Sequence, residues 1–464
     1  MPQAEGERVP LSALKEAEHL PRLLVLSFGV WLYAADSTLV ATVMPVAVEE
    51  IGGLPYLSWT YTLYQLGSVV TGAIAALVIL RTGIVRAEIA AGSLYVFGCA
   101  LSAYASDMSI MILGRLLQGM GGGGLVSLAF IGASTLFPQK LWVRIIAVIS
   151  AVWGVSSLCG PLIGGYFVNI GNWRGAFWAF AIQGLVTIFV APPLLRKHFQ
   201  SRTKEIQPLP VARLCLLSIA VLAICQAGVV SSIQFAGVLC ATGVALILIF
   251  IKQDSDSVNR IFPRGILNPS TVSGSGLLMI CSLFMATISL TVYGPLLMYI
   301  IFGASPLVAG YIIALESLAW TLTAIITSGF RERLEPILIK IGSVFVSISM
   351  LGLVYAMPVG PLWVISLFSF IMGMGFGMSW SFVSKRIIAN VPETERAHAS
   401  ASIPTFMRVA MALGSALSGI IANNSGFSEA SSVTVAQNVA FWCFASFTPL
   451  MFVGLFTAWR VSKR

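Results

Sequence analysis

Charge is what this sequence has least of. Only 10% of its 464 residues are charged, against 57% hydrophobic, whereas soluble domains carry roughly a quarter charged. A soluble core cannot absorb that much apolar side chain, and the mean hydropathy of +0.91 places the chain in a bilayer. Its apolar runs are continuous rather than alternating, which excludes a transmembrane β-barrel. Histidine is reduced to His19, His198 and His398, all in or beside polar segments, so no helix presents a pair of metal ligands. The seven cysteines (Cys99, Cys159, Cys215, Cys225, Cys240, Cys281 and Cys443) lie inside apolar runs, without the spacing of a metal site or a disulfide framework. They read as small core residues. A phosphate loop is missing too, because no Gly-Lys-Ser/Thr follows the run GMGGGG at 119–124. These absences exclude an ATP-driven pump, a bound metal and a catalytic residue set. The polar, mixed-charge start MPQAEGERVPLSALKEAEHLPR is no cleavable signal peptide, so the first apolar run is expected to target the chain.

Long apolar runs are what the chain has in quantity. Fourteen are long enough to cross a bilayer: 22–45, 59–80, 87–105, 109–136, 145–169, 174–194, 212–230, 234–251, 272–300, 307–328, 337–356, 362–384, 401–422 and 438–459. Basic residues test that count, because they collect in cytoplasmic connections. With the N-terminus inside, all of the 27 Lys and Arg but Arg115, Arg174 and Arg408 fall on the cytoplasmic side. The opposite connections, near Glu49, Asp107, Ser231, Ala304, Pro358 and Ser425, hold none, and Arg174 edges the remaining one. A wrong count would scramble this alternation. The net charge of +9 is therefore a topology signal and not a nucleic-acid patch. The expected architecture is an all-α, multi-pass protein of the cell inner membrane with 14 transmembrane helices in a 6+2+6 plan and both termini cytoplasmic. Its parts are a cytoplasmic segment 1–21, a six-helix bundle 22–195, a two-helix insert with flanking loops 196–271, and a second bundle 272–464.

A few charges remain inside the spans, where each costs several kcal/mol unless paired or wetted, so such residues usually mark a substrate or ion path. Arg115 shares one helix stripe with Gly119, Gly122 and Val126, where a neighbouring helix can come close. Asp36 lies about nine residues, roughly 14 Å, below the outer end of the first span. Arg115 lies about six residues below the outer end of the fourth, and Glu316 about nine below that of the tenth. All three can share one depth. Two carboxylates and a guanidinium form a proton-handling set, since burial and a neighbouring arginine act in opposite senses on a carboxylate's hold on its proton. The alternatives are structural: an Asp36–Arg115 ion pair that holds helices together, and a Glu316 hydrogen bond to neighbouring backbone. Glu316 continues into Trp320, Thr323 and Thr327 at helical spacing, like the lining of a path. Arg408, nearer the cytoplasmic side, either binds an anionic part of a substrate, pairs with a carboxylate, or snorkels. Ser150, Gly154, Ser157, Pro161 and Gly165 align on the fifth span as a hinge or contact surface. Among the aromatics, Trp31, Tyr33, Tyr61, Tyr64, Trp153, Tyr293, Trp320 and Trp380 can line a cavity, or else serve as core and interface residues.

The pieces ADSTLVATVMP (35–45), WTYTLYQL (59–66), LGRLLQGMGGGG (113–124), CGPLIGGYF (159–167), NWRGAFW (172–178) and FMRVAMALGSALSG (406–419) occur in that order over nearly the whole chain. In that order and spacing the chain resembles the major facilitator superfamily, most closely its fourteen-helix drug:proton antiporter branch. The resemblance implies two six-helix bundles around a central cavity, working by alternating access. It implies that Asp36 is a proton or cation site, that Arg115 is coupled to protonation, and that Gly154, Gly160, Pro161, Gly164 and Gly165 form the antiporter motif. One loop departs from the family's G-x-L-a-D-R-x-G-R pattern. The chain reads ALVILRTGIVR there: Arg81 and Gly83 match, while Ala76, Leu80 and Ile84 replace the glycine, the aspartate and the final arginine. Leu80 cannot make the carboxylate contact that latches the cytoplasmic side in relatives, so gating and direction stay open.

The expected function is proton-coupled export of small amphipathic or cationic compounds. Asp36, Glu316 and Arg115 would handle protons or cations, and Tyr33, Tyr64, Trp153, Tyr293, Trp320 and Arg408 would face substrate. The expected partners are a small-molecule substrate, protons and the lipid bilayer, with no nucleic acid, and the protein is expected to be a monomer. No cofactor is expected beyond the proton gradient. A dedicated transporter of one metabolite, and a non-transporting sensor or scaffold of the same fold, are the competing readings.

Overall fold

The computed structural model describes residues 19–138, 141–195, 209–230, 232–257, 260–262, 268–328, 330, 332–427 and 432–463. Most of the N-terminal segment, and the connection holding Arg196, Lys197, His198, Arg202 and Lys204, lie outside the described residues, as do Lys140, Arg264, Arg331 and Arg464.

Each expected span is a helix. In order they are α1 (His19–Ile51), α2 (Leu57–Thr82), α3 (Ile84–Ala103), α4 (Met108–Thr135), α5 (Trp142–Asn169), α6 (Trp173–Leu195), α7 (Val211–Ala227), α8 (Ile233–Asp256), α9 (Val272–Phe302), α10 (Pro306–Ser328), α11 (Glu335–Val359), α12 (Leu362–Ala389) and α13 (Arg396–Asn424), with α14 (Val433–Ala445) and α15 (Thr448–Lys463) sharing the last span. Thirteen are long and apolar enough to cross a bilayer, counting α14 and α15 as one, and α7 is a shorter apolar helix of 17 residues, about 26 Å. Without water to satisfy backbone polar groups, an apolar chain of this kind has helix as its only open-ended solution.

Local chemistry sets the helix ends. Asp107 caps α4, its carboxylate accepting from Ser109 N at 2.9 Å and Ile110 N at 3.2 Å. Those Ile110 and Ser109 N–H groups hold its carboxyl below the usual range. Ser232, Thr271 and Ser432 cap α8, α9 and α14 in the same way. Several helices run about five residues beyond the expected spans, α8 to Asp256 and α12 to Ala389 among them, and two of the differences turn on proline. Pro45 does not end the first helix, which runs on to Ile51, because a proline removes one N–H bond while the bonds on either side survive in a packed span. The fourteenth span breaks at Ser446 and Phe447, since Pro449 has no N–H for the Ala445 carbonyl and its ring crowds it.

Helices α1 to α6 pack on one another, as do α9 to α15, and the two sets meet along α2–α13, α5–α10, α1–α9 and α1–α10. The α7–α8 hairpin lies over one of those seams, with α7 touching both α2 and α13. There Asn423 Nδ2 donates to Pro55 O at 2.8 Å and Gly228 O at 2.9 Å, tying both sets and the hairpin together. At the hairpin's other end the buried Asp254 pairs with Arg213 and accepts from Ile261 N at 2.9 Å and Phe262 N at 3.0 Å.

Candidate functional site

Helix α4 carries the centre of the site because it can be surrounded. A Cβ on Gly119 would stand 2.0 Å from the Tyr64 carbonyl oxygen, so only glycine lets α4 and α2 meet there. That approach brings Arg115, one turn earlier, against both α1 and α2. Its Nη1 donates to both oxygens of Asp36 at 3.0 Å and to Gln118 Oε1 at 3.0 Å. Arg115, Asp36 and Gln118 are all fully buried. Nε and Nη2 of the guanidinium find no partner among the described residues. Five donors are available to an arginine, so the pair leaves unused capacity on the cation and none of the two-pronged geometry that would lock it.

Tyrosine seals the pair. The Arg115 guanidinium lies 4.1 Å from the centre of the Tyr64 ring, and Tyr64 donates its hydroxyl to Tyr33 O at 2.9 Å. Tyr33 stacks on Tyr64 at 5.2 Å, meets Trp153 edge-on at 5.6 Å, and donates to Gln65 Oε1 at 3.0 Å. Arg408 approaches from the other set of helices, its guanidinium 5.2 Å from the Tyr33 ring. Gln118 is held in turn by Ser102 Oγ at 3.0 Å and gives its amide to Cys99 Sγ at 3.1 Å. Of these, Gln118 and Gln65 are absent from the expected residues. The signal was present, since a lone glutamine three residues after Arg115 falls on the same helix face.

Glu316 stands across the seam. It is half-buried. Gly373 allows α12 to approach the Glu316 backbone, where a Cβ would stand 2.0 Å from the carbonyl oxygen. Tyr61 of α2 is buried. Trp320, one turn beyond Glu316, belongs to an aromatic cluster with Phe284, Phe376 and Trp380 at centroid distances of 5.9, 5.2 and 5.7 Å. Tyr293 is not brought to this group: it is fully buried against Phe427 at 5.1 Å. Above Tyr61 a narrow cleft between α1, α2 and α9, lined by Ser37, Ala41, Thr60 and Pro295 among others, has room for about one water.

The glycines of α5 split between two partners. Gly160 and Gly164 face α1, where an added Cβ would stand 2.0 Å from Thr38 Oγ1 and 2.0 Å from Thr42 Oγ1. Gly154 and Gly165 face Thr321 and Leu307 on α10, and Pro161 packs against Gly310 of the same helix. α5 is thus a contact strip between the two sets. Gly83 turns the chain between α2 and α3 at φ +82, donating to Ile79 O at 2.8 Å, and Arg81 is exposed in the last turn of α2.

Comparison with known proteins agrees with this architecture. The family model of the Major Facilitator Superfamily matches residues 26–403. A probable multidrug-efflux transporter of Mycobacterium tuberculosis is 29% identical over 465 residues, covering 97% of this chain and 96% of its own. Multidrug resistance protein 3 of Bacillus subtilis is 24% identical, covering 90% and 84%. Among solved structures, the nucleoside transporter NupG superposes with a TM-score of 0.65 at 12% identity, covering 94% of this chain and 98% of that one. The xylose transporter XylE from E. coli superposes with a TM-score of 0.61 at 16% identity, covering 95% and 94%. At such identities the structures speak for the fold alone. A multi-pass plasma-membrane protein with these helices, this buried ion pair and a family match over most of its length is a transporter and not an enzyme: the chain belongs to the major facilitator superfamily.

Proposed function

We propose that the protein exports small amphipathic or cationic compounds in exchange for protons, by alternating access between its two helix sets. The observation that carries this reading is the buried Asp36–Arg115 pair, enclosed by Tyr64 and placed beside the seam. A carboxylate and a guanidinium attract strongly in a dry interior, and a proton on Asp36 cancels that attraction. The freed guanidinium already has a second acceptor in Gln118 and two unused nitrogens, so it can turn without losing all of its hydrogen bonds. Such a turn reaches Tyr64, whose ring lies against the guanidinium and whose hydroxyl bonds α1, and through their stacking Tyr33. Proton binding on one side and substrate binding on the other then compete for the same packed unit, which is the requirement for exchange. The relatives named for multidrug efflux support the substrate breadth.

The test is purified protein in liposomes under an imposed pH gradient. Expected is gradient-driven movement of several unrelated amphipathic dyes, each competing with the others, and loss of that movement when the gradient is collapsed by an uncoupler. Movement unaffected by the uncoupler would overturn proton exchange. Competition by a single tight compound and no other would favour a dedicated metabolite transporter.

A further inference from the structure

Arg408 carries a charge that the protein does not answer. Its side chain is 6% exposed, deep beside Tyr33 and not drawn out to either end of α13. Among the described residues none of its N–H groups meets an acceptor, and no carboxylate stands within salt-bridge distance. Unlike Nε and Nη2 of Arg115, its nitrogens are not enclosed either, so each keeps a little contact with open space. A lone guanidinium is a costly thing to hold inside a helix bundle, and it survives where something else supplies the counter-charge.

The surroundings say what that something is. Arg408 reaches across the seam from α13 to α1 and α2 of the opposite set. It lies against the Tyr33 ring of α1 at 5.2 Å. A Cβ on Gly72 of α2 would stand 3.6 Å from its Nη1 and 3.5 Å from Ser127 Oγ of α4, so the missing side chain at Gly72 keeps a polar gap beside the guanidinium. Arg115, the other buried cation here, is matched by Asp36. Among the described residues Arg408 and Glu316, like the buried Glu88 of α3, have no ion-pair partner, and these two are of opposite sign and both on the C-terminal set. An arginine fork selects planar anions such as carboxylates, and the Tyr33 and Trp153 rings beside it suit a flat apolar body.

We infer that Arg408 is the recognition site for an anionic group on the transported compound, so that favoured substrates are amphiphiles carrying a carboxylate beside an aromatic body. The inference rests on the export reading above and narrows its substrate class.

The test uses one xanthylium dye in two forms, the free carboxylic acid and its methyl ester, with the full-length protein in liposomes under a pH gradient. Wild type moves the acid at lower concentration than the ester. Arg408→Met lowers the apparent affinity for the acid about ten- to hundred-fold, the worth of one or two charge-assisted hydrogen bonds, and leaves the ester within about twofold. Arg408→Lys restores part of the loss, because the charge returns without the fork. Gly72→Val, which fills the gap without touching the charge, acts in the same selective direction and covers the case in which Arg408→Met fails to fold. Equal loss of acid and ester in the folded variants would make Arg408 a contact between the helix sets and overturn the inference. So would a wild-type protein that moves the ester in preference to the acid, and that result would leave the export reading intact. Movement of neither dye nor any other amphiphile would remove both.

Discussion

At the residue scale the protein concentrates risk in one pair. Asp36 and Arg115 are both fully buried, so each is tolerable only because of the other. Removing the cation by Arg115→Met leaves an unmatched carboxylate, and the expected loss of stability is about 3–5 kcal/mol, read as thermal unfolding in detergent. Adding Asp36→Asn to that variant restores much of the loss, because a neutral amide no longer requires a counter-charge. Additive losses would mean that the two residues do not act as a unit. Asp36→Asn alone keeps an acceptor oxygen beside Gln118 for the guanidinium, so it is expected to fold at some cost in stability and to lose pH-gradient-driven transport, while retained coupling would assign the proton to another group. Glu316 is the natural comparison, since it is half-buried and has no ion-pair partner among the described residues. If it selects cations, Glu316→Gln weakens cationic compounds more than neutral ones, and an equal effect on both in a competition assay would mark it as structural.

At the scale of elements, helix contact in a membrane depends on how closely backbones approach, because lipid is as apolar as leucine and gives no hydrophobic drive. The α1–α5 contact shows this at two glycines with different neighbours. A Cβ on Gly164 meets chiefly Thr42 Oγ1, at 2.0 Å, with the nearest backbone atom at 3.1 Å. A Cβ on Gly160 meets Thr38 Oγ1 at 2.0 Å and also the Ala35 carbonyl oxygen at 2.5 Å. Both Gly164→Ala and Gly160→Ala are expected to destabilise by roughly 1–3 kcal/mol. Adding Thr42→Ala rescues the first, because the obstacle is a side chain. Thr38→Ala does not rescue the second, because the backbone remains in the way. Denaturation of the four variants separates the two cases, and equal rescue would mean that the α1–α5 spacing is wider than described. Of these contacts the motif CGPLIGGYF made only the small-residue surface legible. It did not say that Gly160 and Gly164 face α1 while Gly165 faces α10.

At the scale of the whole molecule, the two helix sets close on each other near the α1–α2 connection. Ser415 Oγ donates to Ser58 O at 3.1 Å, and a Cβ on Gly419 would stand 3.1 Å from Ser58 Cβ. That separation is a few tenths of an ångström short of a disulfide's Cβ–Cβ span of about 3.5–4.5 Å, which a small shift of α13 away from Ser58 supplies. In a background with the native cysteines replaced, Ser58→Cys with Gly419→Cys is expected to cross-link under oxidation, stop transport, and recover with reductant. Undiminished transport in the cross-linked protein would show that this seam does not open during the cycle.

The amount of this that could be read from the sequence follows from which forces are local. Helix number, helix type and the alternation of basic connections were legible because a bilayer tests every segment separately for length, apolarity and flanking charge. Proline was the exception at both ends of the chain: Pro45 sits inside an unbroken helix and Pro449 splits one, and which outcome holds depends on neighbours that restore the backbone bonds. The charges of Asp36, Arg115, Glu316 and Arg408 were conspicuous in their apolar runs, so sequence alone singled them out as candidates. Sequence offered Arg115 as a partner for Asp36 but could not choose between pairing and the other readings, and it left the rest unassigned. Asp36 took Arg115, Arg408 took only the face of Tyr33, and Tyr293 turned into the core. Those choices depend on which helix faces meet across distances of tens to hundreds of residues, and only close packing of the whole chain decides them.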